Sequence, residues 1–564
     1  MAKTLQARYH DTEVAKLYSE DSGKWWRSIK LLAGMECSDS SILTLANNLT
    51  GGDLHDLAEM ANDYFVSVSQ GLNRLTPSRP STDFNIPDKY IISVSEVQDK
   101  LLKINTKKAV GPDYLPNWVL KDFADILAGP VASIFNASLS QATVPGIWKS
   151  ADVIPLPKVK PPTQVEKHLR PIALTPILAK MLEGFVCKWM EDLCPENDDP
   201  LQFGCVKGTS TTHCLIELLH IWCTQTDTPD YYVRILLVDF SRAFDHIDHT
   251  ILLDKWSDSE VPPFLIRWKH DFLCERRQRV RIGSYVSKWK SPDGGTPQGT
   301  KSGPRDFKKM VKDMRAPLPL YKYVDDTTLS EVCKRHVPSS KLQESADDIV
   351  SWCVENKMII NEKKTKEMII NFAKKPSTIP DLLINDQVIE RVSSTKLLGV
   401  TISKTLSWEE HINNITGKAS QRLYFLRLLK RANVNMDSLL RIYCSLIRPT
   451  VEYACQLWHG GLTGEQSDTV EAIQIRALAI IMPDAAYDLA LQIAELPTLA
   501  DRRRDICRKL FIEMQSPSHK LHHLLPSERD NRERLRSEAK YPKPKVHTKR
   551  AKSCFVNWCL FNLQ

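Results

Sequence analysis

Two neighbouring carboxylates, Asp325 and Asp326, stand between two apolar, β-forming runs at 319–324 and 327–332. That pattern predicts a tight hairpin with the acids at its turn. Adjacent carboxylates on a rigid turn repel unless a cation lies between them, so the pair points to a divalent metal site. An Asp-Asp dipeptide alone is more often a solvated turn. The metal reading therefore needs a third carboxylate, a clamp for anions and a basic track. Asp239 supplies the carboxylate. It ends the most strongly β-forming run of the chain, Tyr231-Tyr-Val-Arg-Ile-Leu-Leu-Val238, which reads as a buried central strand. A carboxylate at the end of a buried strand is costly unless it binds something.

The elements that must position these groups follow from pattern and punctuation. A short β run ends in prolines and Lys158, and a second, 169–174, carries Arg170 near its start. Together they suit a hairpin gripping an anion. The stretch 294–304, Gly-Gly-Thr-Pro-Gln-Gly-Thr-Lys-Ser-Gly-Pro, is a glycine-rich loop that lets backbone approach a ligand, and it contains Gln298 and Gly299. Residues 107–113, Lys-Lys-Ala-Val-Gly-Pro-Asp, form a turn that can present cations. The Gly- and Thr-rich loop 202–211 caps an apolar helix from His213 to about Cys223. Arg276-Arg-Gln-Arg-Val-Arg281 alternates charge along a strand, with a solvated edge as its plain alternative. Residues 361–371 join a basic turn containing Lys364 to a strand, and 396–402 reads as a further strand. Ser93-Val-Ser-Glu96 has capping-box spacing. Trp25 and Trp26 lie in a basic amphipathic turn, 53–68 is helical, and 76–82 is a Pro/Ser-rich linker. From about 411 to 500 the periodicity is helical, and 540–552 is basic, proline-rich and expected to be disordered.

The 564 residues carry a net charge of +8 and are 42% hydrophobic, as in ordinary globular proteins. Residues 501–564 hold 16 Lys and Arg against 7 Asp and Glu, so the basic excess lies in the C-terminal stretch and suggests a polyanion partner. Fourteen cysteines are scattered without a CxxC, which fits a reducing compartment and argues against structural zinc. No secretory leader and no run of 18 apolar residues is present, so an intracellular site, nuclear or cytoplasmic, is expected, with no membrane span.

Taken in order, several stretches resemble the reverse transcriptases of non-LTR (LINE-type) retrotransposons: KKAVGPDYLP at 107–116, WKSADVIPLPK at 148–158, LRPIALT at 169–175, QFG…G at 202–208, VDFSRAFDHIDH at 238–249, GGTPQGTKSGP at 294–304, YVDD at 323–326, NEKKTKEM at 361–368 and LLGVTI at 397–402. IRPTVEYACQLW at 447–458 is similar to the thumb region that follows. The resemblance implies an α+β, right-hand polymerase fold: a helical lead-in over 1–90, fingers and palm with a small antiparallel sheet over 91–405, a helical thumb over 406–500, and a basic, partly disordered tail over 501–564. It implies an RNA-directed DNA polymerase that adds dNTPs to a primer 3′ hydroxyl. Two divalent cations, Mg²⁺ or alternatively Mn²⁺, would stand about 3.5–4 Å apart. Asp239 and Asp325 would bridge them, with Asp326 and the backbone carbonyl of Phe240 as further ligands. By the same resemblance Phe244 lies under the sugar and selects dNTPs, Arg170 grips the triphosphate with help from Lys158, Gln298 and Gly299 contact the nucleotide, and Lys364 acts near the pyrophosphate as a general acid. The implied partners are an RNA template, a DNA primer or target and dNTPs; protein partners stay open.

Two departures accompany the resemblance. Charges at Arg305, Asp306, Lys308 and Lys309 occupy a helix expected to be apolar, where unpaired burial would cost several kcal/mol each. That opens a second reading, a decayed or co-opted copy that only binds nucleic acid. The lead-in is also too short for the upstream endonuclease of such elements, so a truncated element is expected. A group II intron-type polymerase fits the GPDYLP, SRAFD and LLGVTI stretches less well.

Overall fold

The structure, a computed structural model, describes residues 38–77, 85–193, 199–335, 337, 341–373, 379–529 and 539–564. The Trp25-Trp26 turn and most of the 76–82 linker lie outside them. Helices α1 (Ser38–Thr50) and α2 (Leu54–Ser67) open the described chain. Asp53 caps α2 by accepting from the backbone of His55 and Asp56, and Leu57, Ala58, Ala61 and Phe65 line its buried face. That face packs with Val153, Val165, Leu169 and Val280 into a small core of its own. The stretch expected as a lead-in is thus a layer against a sheet. The capping box at Ser93 and Glu96 forms as its spacing predicts and starts the helix Val94–Leu102.

That sheet contains β1 (Ser150–Pro157) and β2 (Leu169–Leu174), an antiparallel pair in which Leu156 faces Arg170. Helices α3 (Ile177–Asp192) and α4 (Thr211–Gln225) follow, and Ser210 caps α4 by accepting from the backbone of His213. Next come β3 (Tyr231–Val238), β4 (Arg277–Ile282) and β5 (Tyr285–Val286). The first sheet runs β2-β1-β4-β5, with β1 and β4 parallel. The arginine-rich strand β4 is therefore internal. It buries Val280 on one side and turns Arg277, Arg279 and Arg281 to the other, where Arg279 and Arg281 flank the buried Asp152 at 2.8 and 3.4 Å.

Helix α5 (Gly303–Met310) leads to β6 (Leu320–Tyr323), β7 (Asp326–Lys334) and β8 (Lys366–Ile370). The small hairpin β9 (Leu383–Ile384) and β10 (Gln387–Val388) precedes β11 (Glu390–Val392). The second sheet runs β11-β8-β3-β7-β6, so β3 is central as its apolar run predicts. Arg234 within β3 is tolerated because Glu367 on β8 meets it at 2.6 Å, with Arg391 on the other carboxylate oxygen at 3.0 Å. The run 396–402 is two strands, β12 (Ser394–Leu397) and β13 (Val400–Ser403), turning at Leu398 and Gly399, both of positive φ.

Helices α6 (Glu409–Arg431), α7 (Gly464–Ile481), α8 (Leu499–Met514) and α9 (Phe555–Asn562) share one large apolar core with α4 and the back of the second sheet. The C-terminal stretch differs from the expected tail. Cys507, Phe511, Met514, Phe555, Cys559 and Leu560 are core residues. Asp227, after α4, accepts from the backbone of His547 and Thr548 and fastens the segment that was expected to be disordered. Lysine and proline content concealed this because only Tyr541 and Ala551 anchor the segment from within, and most of the anchoring apolar residues lie beyond it, at 555–560. Among the described residues no helix is long and apolar enough to cross a membrane.

Candidate active site

The register of the second sheet brings the three aspartates together. Val238 pairs with Thr327 and Tyr323 with Asp326, so Asp239 leaves β3 beside the turn of the β6–β7 hairpin. Val324, at that turn, has a left-handed φ of 62°. The Gln202 side chain holds it: Oε1 accepts from Val324 N at 3.1 Å and from Gly204 N at 2.8 Å. A Cβ on Gly204 would meet Val324 N at 2.5 Å, so only glycine lets this loop lie against the hairpin. Asp239 is fixed through its backbone, with Thr365 Oγ1 accepting from its N–H at 3.2 Å and its carbonyl accepting from Asn361 N at 2.8 Å.

Burial works against the charged form of all three carboxylates. Asp239 Oδ2 is buried with no hydrogen-bond partner among the described residues; Lys364 Nζ stands 3.8 Å away. Burial raises the Asp239 carboxyl above its ordinary value, against the pull of Lys364. Burial and then the Asp239 charge raise Asp325, against Arg170. Burial, Asp325 and Asp239 push Asp326 to about 6. Among the described residues no three His, Cys, Asp or Glu side chains close into a ready-made metal cluster. Hard divalent cations take oxygen ligands. An oxygen-only donor set with one orphaned buried oxygen is suited to such an ion.

Cations face this acidic end from the first sheet. Burial lowers the Lys158 ammonium, and Arg170, Lys364 and Arg242 lower it further, so four basic groups share one neighbourhood. Lys158 is anchored through its backbone N–H, which donates to His168 O at 2.7 Å. The glycine-rich loop stitches the two sheets together. Gln298 O accepts from Ala173 N at 2.7 Å, and Gln298 Nε2 donates to both carboxylate oxygens of Asp245, at 3.0 and 2.9 Å. Gly299 has φ 117°, and a Cβ there would lie 2.8 Å from Ala173 O. The Phe244 ring packs 5.0 Å from the Phe307 ring, while Phe240 is buried and its backbone bridges Ile360. The structure thus brings every sequence-predicted site residue to one end of the two sheets. The site also includes Gln202, Asp245 and Thr365, which sequence reasoning passed over. All three lie inside the quoted stretches, but their role is a hydrogen bond across the fold that spacing does not reveal.

The charged helix α5 keeps an apolar face after all. Phe307 and Met310 are fully buried, and Arg305, Asp306 and Lys309 have partners. Asp306 meets Lys269 at 2.6 Å, with both side chains 2% exposed, and Arg305 meets Glu191 at 2.7 Å. Lys309 hydrogen-bonds Ser259 and lies over the Trp256 ring. The unpaired burial feared from the sequence is absent at these three positions.

The family described as reverse transcriptase (RNA-dependent DNA polymerase) matches residues 156–402, which span Arg170, the three aspartates and Lys364. The chain carries a reverse transcriptase domain. The curated relatives agree with that domain. The RNA-directed DNA polymerase from mobile element jockey of Drosophila melanogaster is 27% identical over 74% of this chain and 47% of its own length. The probable RNA-directed DNA polymerases from transposon BS and transposon X-element, both of Drosophila melanogaster, are 25% and 26% identical, over 85% and 68% of this chain and 55% and 43% of theirs. The chain spans about half the length of these relatives. A short second match, to the N-terminal region described for alkylated DNA repair protein alkB homolog 8, covers 408–447, which is helix α6 and the short helical segments 436–447 after it.

Proposed function

We propose that this chain is an RNA-directed DNA polymerase of retroelement origin that extends a DNA primer on an RNA template. The observation that carries the reading is the meeting of Asp239, Asp325 and Asp326 at one sheet end beneath Lys158 and Arg170. In this reading the two sheets are palm and fingers, the helical C-terminal half is thumb, and the layout is a right hand.

Asp239 and Asp325 would hold divalent cations, with Asp326 and the Phe240 carbonyl beside them. Bound there, such ions would lower the pKa of the primer hydroxyl and neutralise charge on the leaving pyrophosphate. Arg170 and Lys158 bind and orient the triphosphate; a guanidinium's forked donors suit phosphate oxygens. Gln298, locked by Asp245, and Gly299 line the nucleotide's sugar side. Phe244, backed by Phe307, closes the floor of the site and excludes a 2′ hydroxyl. Lys364, beside Asp239, is placed to give a proton to the leaving group. The row Arg277, Arg279 and Arg281, with the Trp289 ring 4.9 and 4.5 Å from the first two guanidinium carbons, offers phosphate contacts and a stacking surface for the template.

The test is primer extension by the purified chain with RNA template, DNA primer, dNTPs and Mg²⁺. Extension by the wild type that is lost in Asp325→Ala supports the reading. RNA binding without any extension sinks it in favour of a binding protein.

A further inference from the structure

Tyr64, on α2, lies well outside the matched reverse transcriptase region, yet its hydroxyl stands at the junction of the two sheets. We propose that Tyr64 is a positioning residue: it fixes the Arg242 guanidinium at the triphosphate end of the nucleotide site and ties it to the β1–β2 hairpin that bears Lys158 and Arg170. The proposal rests on the polymerase reading for the identity of the ligand.

The contacts converge from three parts of the chain. Arg242 lies in the turn that leaves Asp239. Its backbone is left-handed, with φ 53°, and its carbonyl accepts from Asp245 N at 2.8 Å and His246 N at 3.1 Å, so the turn is built on this residue. The guanidinium donates to Tyr64 Oη and sits 4.7 Å from the centre of the Tyr64 ring. The same hydroxyl donates to Glu166 O at 2.8 Å. A phenol has one proton to give and lone pairs to accept with, so both bonds form at once. Glu166 lies in the connection between Lys158 and Arg170. One oxygen therefore joins α2, the turn after Asp239 and the β1–β2 hairpin.

The frame that carries Tyr64 is itself fixed. Asn62 Nδ2 donates to Lys288 O at 2.9 Å and its Oδ1 accepts from Gln278 at 3.2 Å. Glu59 accepts from Lys288 N at 2.7 Å, and His246 Nδ1 is 2.8 Å from Val68 O. Leu57, Ala58 and Ala61 are fully buried beneath. Arg242 in turn is solvent-accessible and acts electrostatically on Lys158 and Asp245. A free arginine on an exposed turn would sample many rotamers. Stacked and bonded to Tyr64, it presents a third preorganised cation where a triphosphate must arrive, and the ordering cost is met before binding.

The experiment uses the full chain and titrates one dNTP in primer extension. Tyr64→Phe keeps the ring and the packing and removes only the hydroxyl. Its KM for dNTP is expected to rise about tenfold, near the low end of what a hydrogen bond to a charged group contributes, with kcat within about twofold. Arg242→Ala is expected to raise KM at least as much, and the double variant no further than Arg242→Ala alone. An unchanged KM in Tyr64→Phe, or additive effects of the two changes, overturns the proposal; so does a fall in kcat alone, which would mark a general loss of structure. Should the wild type extend no primer, the polymerase reading falls, and this inference is decided by titrating inorganic tripolyphosphate. Weaker binding by Tyr64→Phe and Arg242→Ala than by the wild type sustains the anion-positioning role, and equal binding refutes it.

Discussion

Asp239, Asp325 and Asp326 are placed where their charges are unfavourable without a counter-ion, and that sets two expectations. Under the proposed function, Asp325→Ala removes one of the clustered carboxylates that would hold the cation. Primer extension is expected to fall by about 10²–10³-fold or more, the scale of losing one electrostatic contact to a transition state. The second expectation concerns pH. Asp326 is raised to about 6 from an ordinary 3.8, so between those values the folded chain holds a proton that the unfolded chain has released. Stability of the metal-free protein must then fall as pH rises through that window. Thermal midpoints measured from pH 4.5 to 7 are expected to show this decline, flattened in Asp326→Asn and offset by divalent cation at neutral pH. A decline equally steep in the variant would assign it to other groups.

At the scale of elements, two supports decide whether the aspartates stand in working geometry. The loop bearing Gln202 and Gly204 lies directly on the β6–β7 turn. Gly204→Ala forces a Cβ into the Val324 backbone, so at least tenfold loss of extension is expected with circular dichroism unchanged. Helix α5 is the other support, between the glycine-rich loop and β6. Its Asp306–Lys269 pair is almost wholly buried, and burial works against the charged form of Asp306. Asp306→Ala would leave the Lys269 ammonium without its partner, at a cost of about 3–5 kcal/mol in urea unfolding. A compensated double change, Lys269→Met with Asp306→Leu, should recover most of that loss, because two well-packed apolar side chains can replace a buried ion pair. Failure of the double variant to recover would show that packing around α5, rather than the lone charge, governs its stability.

The whole molecule closes on itself through its C-terminal stretch, and this changes what the basic excess there means. Removing 539–564 takes Phe555, Val556, Cys559 and Leu560 out of the large core, so aggregation or a much lower thermal midpoint is the expected outcome, not a soluble protein with a weaker salt response. The polyanion contact is better probed by single charges. Arg277→Gln on β4 is expected to weaken RNA binding across sequences and to reduce the slope of log affinity against log salt by about one. An unchanged slope would leave Arg277 outside the nucleic-acid track. The parts legible in the sequence share a physical basis: local pattern. Alternation and apolar runs gave β3, the hairpin at Asp325 and Asp326, the capped helices at Ser93 and Ser210, and the carboxylates that ended or joined them. What only the tertiary structure decided are the pairings between residues distant in sequence: Gln202 on Val324, Gln298 on Asp245, Lys269 on Asp306, Tyr64 on Arg242, and Asp227 on the 547–548 backbone. Periodicity reports which face of an element is buried, but not which distant donor will meet a given acceptor. That choice is made by sheet register and helix packing, and those emerge only when the whole chain has folded.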